Sequence, residues 1–273
     1  MTIALIDNGS LEPAAHRNLR AVATALSARA GVSVHAVSWK HSDRIPAAAL
    51  GGVPAPTLAP FVRAQLARGE REFVFVPFFV SAQGAIGSAL RTELDNLRPT
   101  AGDFTYTFTD SLASSGTLAA LVAARVRETI AARKLPRPAV IVVDHGGPAP
   151  ASAALRDSLA TSVRTLLGAA IGPLAAASMA GAEHAHNRPL LAEQLTAPDF
   201  SSGEVVIALL FLSPGRHAGA DGDVAQICRV AESHTPGLRC HLAGLVGTHP
   251  AAIAPLARAL QSTLAQLAAP TCA

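Results

Sequence analysis

Two histidines stand where an apolar run gives way to glycine. His145 lies in Asp144-His145-Gly146-Gly147, and His217 closes Ser213-Pro214-Gly215-Arg216-His217. Neutral imidazole is a good ligand for divalent first-row metals such as Co²⁺, Fe²⁺ and Ni²⁺, and two of them leave coordination positions open for an incoming ligand. Imidazole also accepts a proton near neutral pH, so one pair can serve as landing point and base. A thiolate alternative is weak. The three cysteines, Cys228, Cys240 and Cys272, are an odd number without CxxC spacing, which argues against a disulfide framework and against a cysteine zinc site.

The elements before these histidines have the form that would bring them together. Ala139–Val143 and Val205–Leu212 are runs of aliphatic residues bounded by turn residues, the pattern of strands buried on both faces. In open parallel sheets ligands bind beyond the carboxyl ends of the strands, which is where both imidazoles fall. The remaining chain alternates the same way. Strands are expected at 2–7, 32–39, 73–80, 104–109, 174–179 and 238–243. Helices are expected at 13–30, 61–69, from residue 85 to about Asn96, 117–133, 150–167, 189–195, 221–233 and 250–267. Strand–helix alternation of this length implies parallel sheets with right-handed crossovers. Lys134-Leu-Pro-Arg-Pro138 interrupts the pattern and reads as a linker, dividing the chain into domains 1–134 and 139–273.

These halves repeat one design. Asp7-Asn8-Gly9 corresponds to Asp144-His145-Gly146, Phe79-Val80-Ser81 to Phe211-Leu212-Ser213, and Leu112 to Leu245. The repeat is imperfect where chemistry would be: Asn8 stands opposite His145, and Ala85 opposite His217. Seven of the ten histidines follow residue 140, so the second half carries the chemistry and the first is a degenerate partner.

Composition bounds the alternatives. Half of the 273 residues are hydrophobic and 15% are charged, which suits two packed domains and not a disordered chain. A net charge of +3, with no basic run, offers no footprint for nucleic acid. The apolar N-terminus is short and lacks a basic leader, and no apolar stretch reaches the roughly 20 residues of a membrane span. The expected setting is cytoplasmic, away from membranes; nothing fixes the oligomeric state. No Gly-x-x-x-x-Gly-Lys-Ser/Thr run is present, consistent with chemistry that uses no nucleotide.

Asp144-His145-Gly146-Gly147, Leu212-Ser213-Pro214-Gly215-Arg216-His217 and Leu245-Val246-Gly247-Thr248-His249-Pro250 together resemble the sirohydrochlorin chelatase family, the class II chelatases that insert cobalt or iron. The resemblance implies two tandem-duplicated parallel-sheet α/β domains facing a cleft. It also implies insertion of a divalent metal, Co²⁺ or Fe²⁺, into a tetrapyrrole without ATP, the metal being a substrate. His145 and His217 are then the metal-handling pair. The family's glutamate near the second strand has Glu183 as its nearest counterpart, a few residues late, with His184 or His186 as substitutes. Sirohydrochlorin is a polycarboxylate, so its pocket should offer Arg216, Arg188, Ser213 and the glycine loops Gly146, Gly147 and Gly215. Lys40, Arg44 and the Gln83-Gly84 loop of the first half would hold the ring's rim. The displaced glutamate keeps a rival open, a non-catalytic metal or tetrapyrrole carrier of the same fold. An unrelated small-molecule enzyme on this architecture is the third reading.

Overall fold

The structure, a computed structural model, describes residues 1–80, 85–114 and 116–269. Apolar runs become central strands and amphipathic segments cover them, giving two four-stranded parallel sheets with flanking helices. The first sheet comprises β1 (Thr2–Asp7), β2 (His35–Ser38), β3 (Glu72–Pro77) and β4 (Thr105–Phe108), in the order β2-β1-β3-β4. The second comprises β5 (Ala139–Asp144), β6 (Leu174–Ser178), β7 (Gly203–Leu209) and β8 (Leu238–Leu242), in the order β6-β5-β7-β8. The identical topology is the architecture that the sequence repeat implied.

The helices are α1 (Pro13–Ala30), α2 (Leu58–Ala67), α3 (Ala85–Ala101), α4 (Leu118–Arg133), α5 (Pro150–Leu167), α6 (Leu191–Gln194), α7 (Asp223–His234) and α8 (Ile253–Ala268). Helices α1 and α5 start on a proline, whose missing N–H costs nothing in the first turn. All six residues of β1 are buried, as are the first five of β5, because helices cover both faces. One core gathers Ile141, Val143, Ile207 and Leu209 with Val224 and Cys228 of α7. The other is built around Phe73, Phe75 and Phe104 with α2 and α3.

The compact units do not follow the linear halves. One comprises Met1–Gly116 with Pro250–Ala273, the other Thr117–His249. Helix α4, expected to close the first domain, packs on α5 and β7 of the second unit, and α8 packs on α1 of the first. Polar contacts fix α4 in place: Arg125 Nε donates to Leu245 O at 3.0 Å and Arg125 Nη2 to Thr248 Oγ1 at 2.8 Å. An apolar stripe records that a helix is buried but not on which sheet, so the exchange is invisible in the pattern. Strand β7 also stops earlier than its apolar run. Leu210 N–H still reaches Val143 O at 2.8 Å, after which the chain leaves the sheet.

Among the described residues, no helix is long and apolar enough to cross a membrane.

Candidate functional site

Strands β5 and β7 are neighbours at the centre of the second sheet, with Val143 opposite Leu209. The chain runs from β5 to β6 on one side, then crosses to β7 on the other. The carboxyl ends of β5 and β7 therefore mark the point where the winding reverses, the usual place for a ligand crevice in such sheets. His145 follows β5 directly, and His217 arrives on the loop after β7.

The imidazoles meet there, with ring centroids 4.7 Å apart and ring planes at 80°. His145 is exposed and the His217 side chain about one-third exposed, so both rings are accessible. A metal about 2.1 Å from a ring nitrogen lies about 3.2 Å from that ring's centroid, so two imidazoles in adjacent positions on one ion have centroids about 4.5–5.2 Å apart. The observed separation lies in that range. His145 Nδ1–H donates to Gly146 O at 2.7 Å, and His217 Nδ1–H donates to Asp223 Oδ2 at 2.6 Å. Each ring is thus in the tautomer that leaves its Nε2 lone pair available.

The turn that carries His145 is held by groups that the sequence reading missed. Ser178, at the end of β6, donates Oγ–H to Asp144 Oδ1 at 2.6 Å and accepts a 2.5 Å hydrogen bond from Arg156 Nη1. Arg156, on α5, is 2% exposed and lies 3.7 Å from Asp144 Oδ1. Burial raises the pKa of Asp144 above its ordinary value, while Ser178 and Arg156 pull it back. Gly146 has φ +77°, and a Cβ there would stand 2.1 Å from Ala180 O, so the loops after β5 and β6 touch backbone to backbone. The signal for Arg156 was present in the sequence. It shares a helical stripe with Ala153, Leu159, Ala160 and Val163, and an arginine on a buried stripe requires a partner.

The other expected residues are placed as follows. Glu183 pairs with His184 at 3.6 Å, and the His184 and His186 rings stack at 5.3 Å. His186 Nε2–H donates to Gly147 O at 2.8 Å, so this loop braces the turn after His145. Among the described residues, no group of three or more His, Cys, Asp or Glu is placed to hold a metal together. Asn187 Oδ1 accepts the Gly147 N–H at 3.3 Å, so that amide is not free for a substrate carboxylate as expected. Gly215 lies in the loop before α7, which begins at Asp223, and Gly215 O accepts the Ala218 and Gly219 N–H groups. Arg216 is strongly exposed, 3.8 Å from Asp223 Oδ2. Arg188 pairs with Glu193, and Ser213 lies half-buried in the turn before Gly215.

The first lobe has the same scaffold without the imidazoles. Asp7 accepts a hydrogen bond from Gly9 N–H at 3.0 Å, and a Cβ on Gly9 would stand 1.7 Å from Lys40 O. Ser38, at the end of β2 as Ser178 is at the end of β6, has buried His16 beside it, with Nδ1 3.4 Å from Ser38 Oγ. Lys40 lies over the Trp39 ring and Arg44 donates to His41 Nδ1. The Gln83-Gly84 loop lies outside the described residues, and so does Cys272.

The CbiX family model matches residues 2–129, within the half that lacks both imidazoles. No curated protein matches the chain. Solved structures match almost all of it. SirB from Bacillus subtilis with Fe³⁺ is 13% identical, with 98% of this chain and 97% of that one covered and a TM-score of 0.69. The sirohydrochlorin chelatase SirB from Bacillus subtilis subspecies spizizenii in complex with cobalt is 12% identical, with 96% and 95% covered and a TM-score of 0.64. CbiX, described as the terminal enzyme for biosynthesis of siroheme in denitrifying bacteria, is 18% identical, with 96% and 99% covered and a TM-score of 0.59. Likeness at these identities establishes a shared fold.

Proposed function

We propose that the chain is a member of the CbiX family, whose model matches residues 2–129, and that it inserts Co²⁺ or Fe²⁺ into sirohydrochlorin, with His145 and His217 holding the metal. The observation that carries this reading is the 4.7 Å imidazole pair at the switch point of the second sheet. Support for the substrate comes from the family and from the related folds, one a sirohydrochlorin chelatase in complex with cobalt and another SirB with Fe³⁺.

Two neutral nitrogen ligands bind a divalent ion without enclosing it, which leaves positions for pyrrole nitrogens. As the metal passes to the macrocycle, the freed imidazoles accept the displaced pyrrole protons. Arg216, exposed beside His217, and Arg188 attract substrate carboxylates, and the Gly146-Gly147 and Ser213–Gly215 turns let the flat ring approach the backbone. Glu183, beside His184, lowers the cost of bringing in the dication or takes the second pyrrole proton. No nucleotide enters the reaction. The setting is the cytoplasm.

The test is the absorbance change of metal insertion, with sirohydrochlorin and Co²⁺ or Fe²⁺ mixed with the protein. Wild type should exceed the uncatalysed rate, and His145→Ala and His217→Ala should each return to it. A non-catalytic metal or tetrapyrrole carrier of the same fold is the alternative. Metal binding that depends on both histidines, with no gain in rate, would favour that reading.

A further inference from the structure

Two acidic residues follow His217 closely, Asp221 and Asp223, and the structure gives them different surroundings. Asp221 is almost fully exposed and pairs with Arg229 at 3.5 Å. Asp223, the first residue of α7, accepts the His217 Nδ1–H at 2.6 Å. We propose that Asp223 is a positioning residue for metal transfer, which locks His217 in the tautomer that presents Nε2 to the metal by holding a carboxylate directly on the Nδ1 of that ring.

The loop that delivers His217 is folded so as to make this contact. Gly215 O accepts both Ala218 and Gly219 N–H, Gly219 O accepts Gly222 N–H, and Arg216 O and His217 O accept Asp223 and Val224 N–H at 3.2 Å each. The chain thus returns on itself within eight residues. Gly222 makes the closure possible, because a Cβ there would stand 2.7 Å from Arg216 O and 2.8 Å from His217 O. Residue 223 is brought beside residue 217 by backbone, not by a flexible side chain reaching over. An imidazole left to itself divides between two tautomers, one of which buries its proton where the metal should bind. A carboxylate on Nδ1 removes that choice and makes Nε2 a stronger donor.

The pair is therefore asymmetric. His145 gives its Nδ1–H to the neutral Gly146 carbonyl, whereas His217 gives its own to a carboxylate. His217 is the stronger ligand, and His145 the one that yields first as pyrrole nitrogens arrive. This inference deepens the chelatase reading and rests on it, but its key readout is independent of metal and substrate.

The experiment compares wild type, Asp223→Ala, Asp223→Asn and the control Asp221→Asn. Long-range nitrogen–proton NMR correlation at mildly alkaline pH reads the His217 tautomer in the metal-free protein, with His217→Ala assigning the signal. A Co²⁺ titration then gives affinity. Wild type and Asp221→Asn should show one tautomer, protonated on Nδ1. Asp223→Ala should show a mixture with the Nε2-protonated form and bind Co²⁺ about 10- to 100-fold more weakly. Asp223→Asn keeps an oxygen acceptor, so it should retain the tautomer and lose less affinity; it also controls for misfolding of the alanine variant. A His217 tautomer unchanged in Asp223→Ala, or an Asp221→Asn variant that loses as much, overturns the positioning role. Co²⁺ affinity indifferent to His217→Ala overturns instead the metal-site reading beneath it.

Discussion

Arg156→Met removes the cation from a buried chain in which Arg156 donates to Ser178 and Ser178 to Asp144. Breaking a buried charge pair from one side costs about 3–5 kcal/mol, mostly because the other charge is left uncompensated. Asp144 keeps the Ser178 hydroxyl and the Gly146 amide, and its side chain is 14% exposed, so the lower end, about 3 kcal/mol, applies. For a lobe of this size that lowers the melting temperature by about 10 °C. The sign with pH follows from the raised pKa of Asp144. A carboxyl that titrates higher in the folded state is penalised when ionised, and removing Arg156 raises it further. The deficit is therefore largest at neutral pH and shrinks as pH falls through the folded pKa toward the ordinary value. The assay is thermal unfolding by far-UV circular dichroism with amide exchange at Val140–Val143, since the single tryptophan, Trp39, belongs to the other lobe. Asp144→Asn combined with Arg156→Met should recover most of the loss. A drop of about 2 °C or less, or a double variant as unstable as the single, would refute the reasoning.

Three further outcomes follow from other parts of the molecule. Gly146→Ala should cost about 1–2 kcal/mol from the left-handed backbone alone, and more from the contact with Ala180 O; metal insertion should fall sharply because His145 is displaced. In the first lobe, Asp7 is pushed up to about 6 by burial and His16 down to about 4 by burial and by Arg20. The Asp7 contribution, about 3 kcal/mol, is full below its unfolded value of 3.8 and lost as pH rises through about 6; the His16 contribution is full above 6.5 and lost as pH falls through about 4. They oppose each other, so the stability of the first lobe, read by Trp39 fluorescence in urea, should be nearly level across that window. His16→Gln should make it rise on acidification and Asp7→Asn should make it fall; level profiles in both variants would contradict the assignment.

Much of this fold was legible because burial on both faces leaves an unmistakable apolar run, and because two halves written to one plan check each other. The pairing of His145 with His217 was legible for the same reason: a histidine at the tip of a central strand has few places to go. The partners of those residues were not. Asp223 and Asp221 are equivalent by spacing, and only the closure over Gly222 selects one. Ser178 looks like an ordinary strand-end residue until Arg156 and Asp144 are seen on its hydroxyl. The resemblance puts Glu183 in the site; its contact with His184, 3.6 Å away in the loop after β6, is not foretold by the spacing. The exchange of α4 and α8 was hidden because the apolar stripe of a helix fits either of two similar sheets.

The central claim is that both imidazoles bind one metal ion through Nε2. Cobalt X-ray absorption on the protein loaded with one equivalent of Co²⁺ tests it without substrate. The account predicts scattering from two imidazoles in wild type, from one in His145→Ala and in His217→Ala, and from none in the double variant. An imidazole signature unchanged by either substitution would place the metal elsewhere and contradict it.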